Sequence, residues 1–327
     1  MSELPPAAIT MDVTMGHYVA RCLHVVAGAG IADHIGSTPQ PTATIAKAAG
    51  VNADALQRML RLLSTRGLFQ FSAGGWSHTP ASEMLRSDHP HSMRSFAVMI
   101  GDPVNWGSLA VLDHSLKTGE TAAHKVFPEC IWSYYAAHPA LSQQFDAAMT
   151  SKSHGDIPLL LQALDVSGVK TVADIAGGRG HFLAAILKSH PQLNGILFDQ
   201  PHVVATVADQ PRTTKIGGDF FKSRMPAAEL YLMTHIIHDW ADAESLAILK
   251  NLRAAAPAGA RLVLYELALP EGPEAHPAKT LDIVMMTVAG GRERTVKEYN
   301  ALFTAAGWTP AGVIPTPGPM ALHIARA

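Results

Sequence analysis

The segment VADIAGGRGHFLAAIL (172–187) sets Gly177, Gly178 and Gly180 between a β-rich apolar run and a helical one. Glycines at such a strand-to-helix turn let a ligand reach backbone amides that side chains would otherwise shield. Acidic residues surround the turn and recur beyond it. Asp174 precedes it, Asp199 closes NGILFD, and Asp219 follows Gly217 and Gly218. An acid about 20 residues past the glycines is placed to accept hydrogen bonds from ribose hydroxyls. Phe220, next to Asp219, is placed to cover an adenine face, although turn chemistry alone also accounts for GGDFF. Three acids at the ends of three successive strands imply a nucleoside site at one edge of a sheet.

The glycine spacing argues against a nicotinamide dinucleotide. Counting from Gly178 and Gly180, Leu183 occupies the position of the third small residue, and Asp174 would repel a pyrophosphate. A ligand without pyrophosphate and with positive charge fits better, and the sulfonium and amino group of S-adenosylmethionine meet that description. The backbone of Ala176 and of Gly177, Gly178 and Gly218 is expected to line the site. No metal is expected. His235 and His238 in YLMTHIIHDW are the nearest pair of ligand types, and on a strand they would face opposite sides.

These groups need a frame. KTVADIAG, NGILFD, TTKIGG, ELYLMTHII and RLVLYELAL alternate with helical runs, which predicts an α/β domain with a doubly wound, mostly parallel sheet. A helix over 296–306, a strand GWTPAGVI, a proline-rich turn at 315–319 and a strand ALHIA predict a closing antiparallel hairpin. Ahead of the sheet, residues 11–36 read as one packing helix. Residues 42–80 read as a short helix from Thr42, a turn at Gly50, a helix from Asp54 and two strands about Gly74 and Gly75, the order of a winged helix-turn-helix. Arg58, Arg61 and Arg66 in that module raise the possibility of DNA binding, but a solvated face is the simpler reading. Residues 88–164 carry aromatics and methionines at helical intervals, read mainly as core. The expected division is a dimerisation domain over 1–95 and a substrate and cofactor region over 96–327.

Composition narrows the class. Charged residues are 16% of the 327 and hydrophobic ones 48%, which excludes a disordered chain and suits a large core or subunit contact. A net charge of −2 supplies no bulk attraction to nucleic acid or anionic lipid. Cys22 and Cys130 stand alone, with no CxxC pair, so a disulfide framework and a thiolate zinc site are not expected, in keeping with a reducing cytoplasm. Residues 1–10 lack a secretion signal, and no apolar run is long enough to span a bilayer.

DIAGGRG, LFDQPHVV, GGDFF, IIHDW and GGRERT, in this order, resemble the plant-type and bacterial small-molecule O-methyltransferases, the caffeate, isoflavone and antibiotic-tailoring group. The resemblance covers nearly the whole chain. It implies a seven-stranded Rossmann-like class I methyltransferase fold, an N-terminal domain that interlocks two subunits of a homodimer, and S-adenosylmethionine as donor. It also implies that His238 is the base, with Glu266 and Glu293 as its partners. Asp239 and Trp240 complete HDW, and the resemblance implies a pocket or positioning role for the aspartate. Ser153 and Thr234 are added to the donor site, and Trp106, Phe145, Met149, Met285 and Met286 to the acceptor pocket. Apart from the resemblance, His238 reads as a helix-start residue, the two glutamates as solvated charges, and the pocket residues as core. Ala176 stands where a first glycine is usual, Arg179 where a small residue or histidine is, and Thr234 where lysine is common.

Energetics narrow the acceptor. Moving a proton from a phenol of pKa about 10 to an ordinary imidazole costs roughly 5 kcal/mol, whereas a water-like hydroxyl costs about 12 to 13 kcal/mol. The expected substrate is therefore a small aromatic hydroxyl compound, with no metal, nucleic acid or membrane partner. Nitrogen or carbon methylation, or a reaction other than methyl transfer on the same scaffold, is the alternative, and a ligand-responsive DNA-binding regulator the rival from another class.

Overall fold

The computed structural model describes residues 5–127 and 131–327, so Cys130 and the first four residues lie outside the described part. Two compact units are present, Met1–Gly107 with Trp132–Lys152, and Ser108–Ile131 with Ser153–Ala327. This differs from a single cut after residue 95. Segment 132–152 joins the first unit because its side chains find partners there. Gln144 donates to the Ser95 carbonyl (2.7 Å), the Tyr135 hydroxyl donates to Asp102 (3.1 Å), and the Tyr135 ring packs 5.2 Å from that of Phe145.

In the first unit, α1 (Pro6–Gly28) starts earlier than the apolar pattern indicated, with proline in its first turn, where a missing N–H costs nothing. It also ends earlier. Gly30 adopts φ 66°, and a short 3-10 turn, Ile31–His34, follows. Next come α2 (Thr42–Ala49), closed by left-handed Gly50, and α3 (Ala53–Ser64), whose first turn is capped by Asn52 accepting from the Ala55 amide. Leu56, Leu60 and Leu63 of α3 share a core with Val26, Ile45, Phe69 and Trp76. The hairpin of β1 (Gln70–Ser72) and β2 (Gly75–Ser77) completes the winged-helix order. Arg58 and Arg61 lie on the exposed face of α3, and Arg58 pairs with Asp54 at 3.9 Å, an ordinary solvated contact.

The second unit is built on seven strands: β3 (Thr171–Ile175), β4 (Asn194–Asp199), β5 (Thr213–Gly217), β6 (Leu230–Thr234), β7 (Arg261–Leu267), β8 (Thr309–Pro315) and β9 (Met320–Arg326). They lie in the order β5-β4-β3-β6-β7-β9-β8. The first five are parallel, and β9 joins β7 and β8 antiparallel. Central strands are covered on both faces, so they are apolar runs without alternation, and every residue of β6 is buried. Tyr231, Met233, Leu262 and Leu264 face the helices Asp242–Ala255 and Val296–Ala305, while Leu230, Leu232, Val263 and Tyr265 face the helix His181–Ser189. The strand order reverses between β3 and β6, where doubly wound sheets open a crevice at the carboxyl ends. Among the described residues no helix is long and apolar enough to cross a membrane.

The apolar run ELYLMTHII does not stay extended. The strand stops at Thr234, His235 turns left-handed at φ 56°, and Ile237–Asp239 form a 3-10 turn. Residues 291–294 hold this turn from beneath. The Arg292 amide donates to the His238 carbonyl (2.9 Å). Buried Arg294 donates to the carbonyls of Ile237 (3.0 Å) and Trp240 (2.8 Å) and to Asp242 (2.7 Å). Gly291 makes this approach possible, because a Cβ there would sit 2.0 Å from the His238 carbonyl oxygen and 2.4 Å from the Asp239 backbone. Gly291→Ala is therefore expected to cost about 1–3 kcal/mol of stability by overpacking. Thermal unfolding followed by circular dichroism should show a melting point lower by several degrees, and an unchanged one would contradict this packing.

Candidate active site

The glycine turn following β3 is shaped by backbone geometry more than by side chains. Ala176 takes φ 55°, costly for a residue with a Cβ, and its amide is held by the Phe198 carbonyl at 2.7 Å. A Cβ on Gly177 would lie 2.5 Å from the Asp174 carboxyl and 2.7 Å from Leu197, so only glycine fits. Gly178, at φ 57°, donates its amide to Asp199 (2.8 Å), and the Gln200 amide donates to the other oxygen of that carboxylate (2.6 Å). Asp219 accepts from the Phe221 amide (2.8 Å) just past β5. Asp174, Asp199 and Asp219 thus stand at or just beyond the carboxyl ends of three adjacent strands. Thr234, also buried, ends the next one.

Two of these acids are electrostatically unsettled. Asp174 is wholly buried with neither oxygen hydrogen-bonded. Burial first, and Asp199 second, push it up to about 7, against a smaller opposing pull from the Leu183 amide. Burial also raises Asp199, while the Gly178 and Gln200 amides work the other way. A cation would settle both by favouring their charged forms. Orphaned carboxylate oxygens beside a turn that admits no side chain therefore fit a nucleoside that carries positive charge, and they oppose a pyrophosphate.

Phe220 is not an isolated face. Its ring meets those of Phe221 (4.9 Å) and Trp240 (5.7 Å) edge-on, so core packing accounts for much of its position. Ser153 lies within the helix Pro139–Ala163 and is half-buried.

The second cluster gathers at the turn after β6. The imidazole of His238 is only 5% exposed, and Glu266 and Glu293 are fully buried. His238 Nδ1 lies 2.8 Å from Glu293 Oε1 and 3.6 Å from Glu266 Oε2, while Nε2 lies 3.5 Å from Asp239. Glu266 is fixed in turn by the amides of Ile236 (2.9 Å) and Ile237 (2.8 Å) on its Oε1, and the Glu293 amide donates to Asp282 (2.9 Å). Burial disfavours a charged imidazole, but Glu266, Asp239 and Glu293 together outweigh it and push His238 up to about 9. Glu266 is raised to about 7, chiefly by burial, despite the neighbouring imidazole.

Of the expected acceptor-pocket residues, Trp106, Phe145 and Met149 fall in the first unit, and Asp239, Met285 and Met286 in the second. Trp106 sits edge-on to His24 (5.6 Å) and under the Arg21 guanidinium (5.2 Å). Phe145 packs on Trp132 and Tyr135. Met285 is buried at the start of a π-helical turn, Met285–Ala289.

One geometric premise needs correction. His235 and His238 do not face opposite sides, because the strand has ended before His235. Their rings lie 5.8 Å apart, and ligand-type atoms of His235, His238 and Glu266 all lie within 4.8 Å of one another. Arg294 and Asp282, which position the turn and Glu293, went unrecognised in the sequence. The available signal was that Arg294 lies inside GGRERT and Asp282 on the helix before it.

An O-methyltransferase domain matches residues 109–309, and an O-methyltransferase dimerisation domain matches residues 11–88. The phenazine O-methyltransferase PhzM of Lysobacter antibioticus is 36% identical, across 99% of this chain and 97% of that protein. The 8-amino-8-demethylriboflavin N,N-dimethyltransferase of Streptomyces davaonensis is 31% identical, across 91% of this chain and 88% of that protein. Among solved structures, CalO1, a methyltransferase in calicheamicin biosynthesis crystallised with S-adenosylhomocysteine, superposes with a TM-score of 0.90 at 33% identity, covering 99% of both chains. Matched by the O-methyltransferase domain over residues 109–309 and by relatives along nearly its whole length, the chain belongs to the S-adenosylmethionine-dependent O-methyltransferases.

Proposed function

We propose that this enzyme methylates the phenolic hydroxyl of a small aromatic metabolite, with His238 as general base. The observation that carries this reading is the 2.8 Å contact between His238 Nδ1 and Glu293, backed by Glu266. A proton on Nδ1 donated to Glu293 fixes the tautomer and leaves Nε2 to accept the hydroxyl proton. S-adenosylmethionine supplies an electrophilic methyl group on a positively charged sulfur. Asp174, Asp199 and Asp219 hold the nucleoside end and set the methyl carbon in line with the acceptor oxygen, so alignment carries much of the acceleration.

The environment of His238 sharpens the choice of acceptor. With the imidazole raised to about 9, proton transfer from a phenol of pKa about 10 costs only about 1.4 kcal/mol, whereas a water-like hydroxyl still costs about 9 kcal/mol. Hydroxylated phenazines are the first acceptors to screen, given the relative that carries that name. Methylation of an aromatic amine is the second reading, favoured by the likeness to the riboflavin N,N-dimethyltransferase. A neutral amine attacks before it loses a proton, so His238 would matter less there. We also assign residues 1–95 to homodimer formation. The apolar side chains of Ile9, Met11, Val13 and Tyr18 are exposed along α1, in keeping with a subunit contact.

His238→Ala should retain donor binding by calorimetry and lose about 10²- to 10⁴-fold in methyl transfer. Unimpaired turnover of a phenol would remove the base assignment. Asp199→Ala should weaken donor binding by about 10- to 100-fold, the loss of charge-assisted hydrogen bonds, and equal affinity would remove that residue from the site. The base works only when neutral, so kcat/KM should climb with pH and level off as pH passes about 9. Glu266→Gln removes the largest influence that raises His238, so the plateau should begin at lower pH; a profile that does not move would show that Glu266 does not tune the base.

A further inference from the structure

Methyl transfer leaves a proton behind, and His238 sits too deep to give it directly to bulk water. The acceptor O–H proton moves to His238 Nε2, the oxygen lone pair forms the new O–C bond, and the C–S electron pair departs with the sulfur. The donor's positive charge has then become one extra proton on the imidazole. The His238 side chain is 6% exposed, and the two carboxylates at its Nδ1 have no exposure.

A second imidazole–carboxylate pair stands beside it. His235 Nε2 lies 2.9 Å from Asp156 Oδ2, and their side chains are 13% and 15% exposed, more open than the base and its partners. The His235 and His238 rings are tilted by 38° at 5.8 Å, and acid–base atoms of His235, His238 and Glu266 lie within 4.8 Å of one another, a span that one water bridges. Glu266 Oε2, 3.6 Å from His238 Nδ1, meets no hydrogen-bond donor and is open as an acceptor within this group.

His235 is also held there at a cost. Its φ of 56° is uncommon for a residue with a side chain, and the conformation is kept by its amide donating to the Tyr265 carbonyl (3.2 Å) and by the Tyr265 ring packing 5.9 Å away. Asp156 comes from the distant helix Pro139–Ala163, two residues before Pro158, which has no N–H for the His154 carbonyl. A strained turn and a proline-bearing stretch of helix thus meet in one imidazole–carboxylate pair next to His238.

We propose that His235 and Asp156 form a proton-exit relay. His235 takes the proton from His238, directly or through one water, and the Asp156 carboxylate stabilises the imidazolium until solvent removes the proton. This rests on the assignment of His238 as base, and it makes His235 a positioning residue for proton release, with no part in the C–O bond-forming step.

The test separates the first turnover from those that follow. His235→Asn tolerates the left-handed backbone, and Asp156→Asn keeps the shape of the partner. Enzyme loaded with S-adenosylmethionine is mixed with a phenolic acceptor and quenched rapidly, then compared with steady-state turnover with and without added imidazole. Both variants should complete the first turnover within about twofold of the wild-type rate, turn over about tenfold or more slowly thereafter, and regain speed with imidazole. Equal losses in both phases, no loss in steady state, or a loss that imidazole does not relieve would overturn the relay. His238→Ala, run alongside, distinguishes the two ideas: normal first-turnover chemistry there would remove the base assignment instead.

Discussion

The structure depends on keeping one imidazole and two carboxylates out of water at the carboxyl end of the sheet. An isolated buried carboxylate would cost several kcal/mol, so such a group survives only when paired or neutralised. Here the compensation is divided. Glu266 takes two amides from the turn after β6, Glu293 takes the imidazole, and Arg294 secures the carbonyls of the same turn. The turn therefore both carries the imidazole and solvates its partners. The strand must stop at Thr234, because an extended chain at 235–237 would not aim two successive amides at one oxygen.

The glycine turn after β3 solves a related problem with different means. Its carboxylates are kept close by glycines that exclude side chains, and Asp174 is left without a hydrogen-bonded partner. The resulting strain is stored in Ala176 and in the raised Asp174, both supported by rigid parallel strands on either side. The fold supplies the rigidity, and the ends of its strands supply the chemistry.

Much of this architecture was legible in the sequence, for reasons that vary by element. The parallel strands were readable because strands buried on two faces must be continuously apolar. Asp174, Asp199 and Asp219 were readable because each stands where such a run gives way to glycine or proline. The roles of His238, Glu266 and Glu293 came only through family resemblance, since no local pattern says that positions 27 or more residues apart converge. ELYLMTHII illustrates the limit. Its apolar pattern continues past Thr234, so the left-handed turn at His235 is set by tertiary hydrogen bonds from β7 and Glu266, which leave no local mark. Asp156 was invisible for the same reason, because its partner lies 79 residues away. The break in the first helix at Gly28–Gly30 had a local signal, but the small residues around it read equally well as helix packing.

The excess of negative charge also separates the two ends of the reaction. His238 is ringed by Glu266, Glu293 and Asp239, and Asp174 and Asp199 stand on the neighbouring strands. On the proposed reading, a site with this balance favours a cationic donor over an uncharged product, since positive charge offsets carboxylates that burial has raised. On the proposed mechanism the positive charge passes to the imidazole as a proton, where Glu266, Glu293 and Asp239 stabilise it. Under that proposal, release of the proton restores the negative charge that the next donor meets, and donor affinity and proton departure then belong to one electrostatic system.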